Sequence, residues 1–518
     1  GALNSTGENC YSIAFCCIGI TQNMVQSVAI VGAGIAGMCT ALALAKQGAK
    51  VTIFERDIPP PSGNANEAFF AWQRRGAAQF RHPHAFLGLM CSLLEQHHPE
   101  LLEDFFAAGA RKMAFADIVP PHLMAQYRHE PGDENLWMLL CRRATIETVL
   151  RRHTETVGNI AIHNATYVTG VNTEMRTDGN HVSGLQLTDR HNQNAQSTFS
   201  ADVYIDASGR ASKFCRWFNE QGIDIQERRD DAEIVYYTRH YRLKEGVEEP
   251  ARHENEPAAG DLGYMKYGVF PGEGGHFAVI ICVPNAEKEL RTAIKNGSQF
   301  DAICRSIPGL TPWVAQDCAE ATTDSFGIGD IQAVWRNFVQ DDKPAVLDFF
   351  AVGDSSARTN PLYGRGCSVG ILHGQILSEV LASSGDSTTR ALRFAQRTKE
   401  QIGPIFDASL TEDKNGIKRA RAVMLGKERN QASSAKKWFT LAFGDALAAA
   451  ANEKIHVFRG MMRTVNLIEK PGDFMKEKHV KRTVLRYMLR GRKRNSQARV
   501  QRGPDRDTML KHIESMPS

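Results

Sequence analysis

"SVAIVGAGIAGMCTALALAKQGAKVTIFER", residues 27–56, runs from a short β-branched stretch through three glycines into an apolar helical pattern and a second strand. Val28 to Val31 suit a buried parallel strand, whose residues need not alternate between polar and apolar. Gly32, Gly34 and Gly37 follow as G-x-G-x-x-G. A helix is expected over residues 36–47 with Gly48 as its C-cap, and the strand "KVTIFE" ends at Glu55. Each part has a physical task. Gly32 permits the tight turn, Gly34 lets backbone approach a pyrophosphate, and Gly37 lets the helix pack close to the strand. The helix N-terminus, at Ile35 and Ala36, offers free N–H groups and partial positive charge to an anion. Glu55, 23 positions after Gly32, can accept hydrogen bonds from a ribose hydroxyl, with Arg56 beside it. A lone glycine triplet is weak, but strand, helix, second strand and acid in this order mark a dinucleotide site.

Two more glycine-marked strand ends lie far downstream. "FSADVYIDASGRASKFCRWF" has a strand over residues 202–205, then Asp206, Ala207, Ser208, Gly209 and Arg210. "AVLDFFAV" reads as a strand and runs straight into "GDSSARTNPLYGRGCS", residues 353–368. That second stretch sets an acid, a proline and two close glycines where a strand hands over to a helix. Ile371, Leu372, Ile376, Val380 and Leu381 fall along one face of that helix.

In type, order and approximate spacing these three elements resemble the flavoprotein monooxygenases of the para-hydroxybenzoate hydroxylase type. The likeness covers about residues 27–383 well and the C-terminal part loosely. It is closest to a branch with R-G-x-x-Q-x-x-H-x-H after the first unit and N-P-x-Y-G-R-G-x-S near the third, here "RRGAAQFRHPH" (residues 74–84) and "NPLYGRGCS" (residues 360–368). That branch includes epoxidases and hydroxylases of lipophilic natural products and is similar to geranylgeranyl-reductase-like proteins.

The resemblance implies FAD as the cofactor. It places Asp354 at the ribityl chain with Gly353 beside it, and Asp206 and Gly209 at the second corner. Pro361, Gly364, Arg365, Gly366 and Cys367 would lie by the isoalloxazine ring, where a helix N-terminus favours an anionic reduced flavin. Arg75 and Gln79 match the branch motif as cofactor contacts. Arg143 matches an arginine that opens the helix in "CRRATIETVLRRH" (residues 141–153) and contacts the FAD; Arg142, Arg151 and Arg152 read as a solvated basic face. His82 and His84 are candidate catalytic groups, because imidazole transfers protons near neutral pH. Core or surface histidines fixed by hydrogen bonds are an equal reading of both.

The expected architecture is α/β, with a Rossmann-like FAD-binding domain, a mixed β-sheet substrate domain and a helical C-terminal region. The expected boundaries are 24–225 and 345–400 for the FAD domain, 226–344 for the substrate domain and 401–518 for the helical region. Residues 1–23 precede Met24, differ in character from the rest and read as a tag or leader. In the substrate domain, Tyr236, Tyr241, Tyr264, Tyr267, Phe270 and Phe277 are candidate pocket lining, although core positions suit most of them equally.

The 518 residues carry a net charge of +4, with 42% hydrophobic and 23% charged residues, a soluble globular composition that does not point to nucleic acid. Eleven cysteines without a C-x-x-C pair argue against a disulfide framework or a zinc site and for a reducing, cytoplasmic compartment. The run of residues 476–502 has eleven Lys or Arg against one acid. A solvated basic helix is the plain reading; contact with an anionic membrane periphery or an acidic carrier protein is the other.

The expected reaction is transfer of one oxygen atom from O2 to a lipophilic or aromatic small molecule through a flavin C4a-hydroperoxide, by epoxidation or hydroxylation. NADPH or NADH would supply electrons, directly or through a separate flavin reductase. A reductase or dehydrogenase of prenyl-type lipids is the alternative. A flavin-dependent halogenase fits less well: no Lys lies between Val51 and Arg111, and no two tryptophans are two apart.

Overall fold

The computed structural model describes residues 25–253, 255–427, 432, 434–498 and 502–516. The proposed leader therefore lies outside the described residues. The opening stretch folds as strand β1 (Ser27–Val31), helix α1 (Ile35–Ala45) and strand β2 (Lys50–Phe54). Helix α2 (Arg143–Glu155) leads to β3 (Ile160–His163), and β4 (Val203–Asp206) follows later. β5 (Ile234–Leu243) and β6 (His276–Pro284) belong to a second sheet. The chain then returns through β7 (Phe349–Ala351) to helix α3 (Gly366–Ala382).

Five of these strands form one parallel sheet in the order β7-β4-β1-β2-β3. The register aligns their carboxyl ends, with Val31 opposite both Phe54 and Asp206, and Asp206 opposite Ala351. Gly32, Glu55, Ala207 and Val352 therefore leave the sheet along one edge. That edge, outside the carboxyl ends of parallel strands at a reversal of strand order, is where open α/β sheets bind ligands.

Alternate residues feed two cores, as a strand buried on both faces requires. Ile30, Ile53, Ile205 and Phe350 pack on one face with α1 and α3. Val31, Phe54, Tyr204 and Phe349 pack on the other with Phe214 and Trp217 of the short helix Phe214–Glu220.

The substrate region, expected as a mixed sheet, pairs antiparallel throughout, with Lys266–Pro271 and β6 joined as a hairpin and β5 beside β6. Its aromatic residues divide by the period of the strand. Tyr241, Tyr264, Tyr267 and Phe277 lie in the outer core under the helices Lys288–Ile294 and Gly297–Arg305. Tyr236 and Phe270 lie on the opposite, inner face with Ile280, Cys282 and Leu362. Of the six expected lining residues, Tyr241, Tyr267 and Phe277 are thus core, and Tyr264, packed in the same core, also lines a small hollow.

Beyond α3 the chain is helical. Helix α4 (Gly403–Met424) sets Ile405 in the core of the parallel sheet and Val423 against that of the second, and Ala435–Glu453, Ile455–Val465 and Lys478–Arg490 enclose a small core of Ala446, Ala450, Val457, Val480 and Val484. The basic run is partly ion-paired there, Arg490 with Glu453 and Arg492 with Asp445. Arg506–Glu514 leaves this group and inserts Met509 into the outer core of the second sheet. Among the described residues no helix is long and apolar enough to cross a membrane.

Candidate active site

A cleft of about 500 Å³ opens at the carboxyl edge of the parallel sheet. All three glycine-bearing corners reach it. From the first come Gly32, Gly34, Ile35, Ala36, Glu55 and Arg56; from the second Gly209; from the third Gly353, Asp354, Pro361, Gly364, Gly366 and Cys367. Arg75, Gln79, His84 and Arg143 line it as well.

The three glycines of the first corner do different work. A Cβ on Gly37 would stand 2.0 Å from the Gly32 carbonyl oxygen, so its absence lets α1 begin tight against the turn. Gly32 has φ +106° and faces the Ala207 backbone, where a side chain has neither room nor an easy conformation. At Gly34 nothing lies within 4 Å of a Cβ position; the space there is open cleft. Gly37 thus acts by packing and does not line the cleft.

Small residues also bring the helices together. Cβ positions on Gly370 and Gly374 would stand 3.0 Å from Ala36 Cβ and 2.6 Å from Thr40 Oγ1. Close contact along α1 and α3 sets their N-termini side by side at the cleft. Neither N-terminus has a side-chain cap, so their orphan N–H groups remain for an anion. At the third corner the Gly353 N–H donates to His373 Nδ1, and burial pushes that imidazole down to about 3. A neutral His373 is therefore the acceptor that pins the turn.

Charge beneath the cleft is organised by Arg74. Its guanidinium meets Asp57 at 3.0 Å, Glu147 at 2.9 Å and Glu55 at 3.3 Å, all deeply buried. Glu147 also accepts from Arg143 Nε. Burial alone would raise the Glu147 carboxyl, but Arg74 and Arg143 hold it below the ordinary value of 4.5. Glu55 accepts from the Ala33 and Asp57 N–H groups as well as facing Arg74. Three of about four carboxylate lone-pair positions are thereby used, which leaves one toward the cleft. Sequence reasoning chose exposed Arg75 by its motif position and missed Arg74 next to it; of the acids that fix Arg74, Glu55 and Asp57 share the turn after β2 and Glu147 comes from α2.

Four expected site residues do other work. Asp206 is buried and accepts from Ser208 N, Ser212 Oγ and Ser355 Oγ. It ties the second corner to the third and does not line the cleft. Arg365 turns away, donating to Ser409 Oγ and Glu412 of α4. His82 lies outside the cleft with Nδ1 on Thr238 Oγ1, and burial lowers it to about 4. His84 lines the cleft, but its Nδ1 must donate to the His82 carbonyl, which leaves Nε2 to accept from Arg143 at 2.9 Å. Burial and then Arg143 push His84 well below 6.5. Both histidines are neutral at pH 7, and His84 orients Arg143 without a free nitrogen for proton transfer. The solvated basic face is corrected too: Arg142 is buried against Glu273 and Arg151 is buried beside Glu155, leaving only Arg152 of the three exposed.

The cleft retains open valences. The Asp354 carboxylate has no hydrogen-bond partner among the described residues, and burial raises it above 3.8 despite Arg358 and Arg143. Thr359 Oγ1, at the same wall, is buried without a partner. Burial also pushes the Cys367 thiol up to about 11, so it is uncharged. Orphan N–H groups, an open glycine and acceptors without partners suit a phosphate-bearing, polyhydroxylated group of the FAD kind. The residues fit that cofactor.

Residues 27–132 match the family of FAD-dependent oxidoreductases. The curated "Protein Rv3254" of Mycobacterium tuberculosis is 26% identical over 239 residues, 44% of this chain and 48% of that protein. The chain thus matches about half the length of this curated relative. A flavoprotein/dehydrogenase from Cytophaga hutchinsonii superposes with TM-score 0.57 at 13% identity, covering 90% of this chain and 99% of that one. p-Nitrophenol 4-monooxygenase PnpA from Pseudomonas putida DLL-E4 gives 0.55 at 15%, with 86% and 99% covered. The flavin-dependent brominase Bmp2 gives 0.54 at 14%, with 90% and 99% covered. At these identities the likeness establishes the fold.

Proposed function

We propose that the chain is a flavin monooxygenase: residues 27–132 match the FAD-dependent oxidoreductase family, and the fold is shared with p-nitrophenol 4-monooxygenase PnpA. It inserts one oxygen atom of O2 into a lipophilic or aromatic small molecule. The observation that carries this reading is the convergence of all three glycine corners on one cleft, with Leu362 of the third corner packed on the inner face of a second sheet.

Bound FAD supplies the redox chemistry, accepting hydride and reducing O2. The chain's own residues bind and orient. N–H groups at the start of α1 take the pyrophosphate, and the free lone pair of Glu55 takes a ribose hydroxyl. Asp354 and Thr359 hold the ribityl hydroxyls. Arg143, fixed by Glu147 and His84, contributes positive charge to the wall. Ile280, Cys282, Phe270 and Leu362 form an apolar surface beside the loop of the third corner, which favours a lipophilic substrate and exclusion of water. No histidine is required as an acid. Electrons come from NADPH or NADH, directly or through a separate flavin reductase.

The test is simultaneous measurement of NADPH and O2 consumption by the purified protein against lipophilic alkenes and phenols, with a flavin reductase added in a second series. Oxygen uptake matched to oxygenated product is expected. Anaerobic saturation of a prenyl-type alkene, or product formation that requires bromide, would overturn the reading.

A further inference from the structure

The most exposed large apolar side chain among the described residues is Leu489, at 82%, and Leu485 on the same helix is 56% exposed. That helix, Lys478–Arg490, turns Val480, Val484 and Tyr487 into the small C-terminal core. At about 3.6 residues per turn its opposite face carries Lys478, Arg482, Leu485 and Leu489 within about 60° of arc, with Lys481 on one flank and Arg486 on the other. All of these side chains are exposed. The stripe they form is about 16 Å long.

The face is cationic without compensation. No acid occurs between Lys478 and Asn495. The acids just before it, Asp473 and Glu477, are engaged by Lys476 and Arg463, while Glu453 and Asp445 take Arg490 and Arg492. Lys478, Lys481, Arg482 and Arg486 form no ion pair among the described residues. Past the turn at Gly491, Lys493 and Arg494 are exposed as well.

A core would cover the two leucines, and a merely solvated helix gains nothing from them. An anionic bilayer surface uses both parts of the stripe. The leucines enter the headgroup–acyl boundary, and the Lys and Arg stems run along it to place their charges among the phosphates. A second copy of this face would set cation against cation. A nucleic acid would take the cations and leave the leucines in water.

We propose that the outward face of Lys478–Arg490 is a peripheral docking surface for an anionic lipid bilayer, with the helix lying in the plane of the headgroups. Such docking needs no spanning segment, and among the described residues no helix is long and apolar enough to be one. The inference goes beyond the reaction and does not depend on it.

Sedimentation of the FAD-loaded full chain with vesicles of phosphatidylcholine, alone or with about one-third phosphatidylglycerol, tests the proposal. The anionic vesicles are expected to bind at least about tenfold more tightly at about 0.1 M salt, with the gain lost at about 1 M. Leu485→Ser combined with Leu489→Ser is expected to weaken binding to anionic vesicles about tenfold. Arg482→Glu combined with Arg486→Glu should abolish the preference for them. All four positions are exposed, so FAD affinity should stay within about twofold in both variants. Equal or absent binding of the two vesicle types by the unaltered protein would overturn the proposal. So would anionic binding that the leucine variant leaves unchanged, which would assign the face to an acidic macromolecule held by charge alone. Vesicle binding requires no turnover, so failure here leaves the monooxygenase reading intact, and failure of oxygen coupling leaves this one intact.

Discussion

Gly34 and Gly37 are three residues apart and respond to opposite parts of the fold. Gly34 has an extended backbone, φ −84° and ψ −176°, that any residue adopts, and open space where its Cβ would be. Gly34→Ala should leave the melting temperature of the FAD-free protein within about 2 °C, while weakening FAD about tenfold or more through the methyl placed in the pyrophosphate path. Gly37→Ala meets backbone at 2.0 Å and should destabilise the fold by about 1–3 kcal/mol. Thermal scans with and without FAD separate the two. Equal effects of both variants on the FAD-free protein would contradict the assignment.

Single residues were legible where a glycine or acid had to sit at a strand end, as at Gly34, Glu55 and Asp354. They were not legible where the side chain's partner is remote. Nothing local distinguishes Arg74 from Arg75, or shows that Asp206 will be consumed by Ser355, 149 residues away.

At the scale of elements, α2 is held to the nucleotide half by Glu147. Replacing it leaves Arg74 and Arg143 with less compensation in a buried setting, so Glu147→Gln should cost about 3–5 kcal/mol in denaturant unfolding. The sign of the pH effect follows from the lowered folded value. The contribution is complete above the ordinary carboxylate value of 4.5 and is lost as pH falls through the lower folded one. The stability of the unaltered protein should therefore decline below pH 4.5 with a component that the Gln variant lacks. An identical acid profile for the two would contradict this.

The helical pattern of α2 was readable, and Arg143 was readable as its first residue. Its supposed basic face was not, because Arg142 finds Glu273 in a hairpin 131 positions further on. Alternation in β5 was equally plain, yet periodicity alone cannot say which face of a strand meets a pocket and which meets the helices.

Across the whole molecule, the order of three glycine corners was enough to anticipate one sheet with a shared carboxyl edge. The return of the final helix was invisible: Arg506–Glu514 lies past the basic run, in a stretch expected only to be helical, and it closes the core of the second sheet. Met509 is fully buried there. Met509→Ala should cost about 2–5 kcal/mol and leave FAD affinity within about twofold, since the cleft lies on the other side of that sheet's inner face. A parallel loss of FAD affinity and stability would show the two regions to be coupled more tightly than their separate cores imply.

The convergence of three distant backbone corners on one FAD is tested most directly by titrating the FAD-free chain with FAD and following flavin fluorescence. The expected result is saturable binding at one FAD per chain, weakened about tenfold or more in Asp354→Ala, which removes an acceptor with no hydrogen-bond partner among the described residues. Absence of saturable FAD binding by the folded, unaltered protein would contradict it.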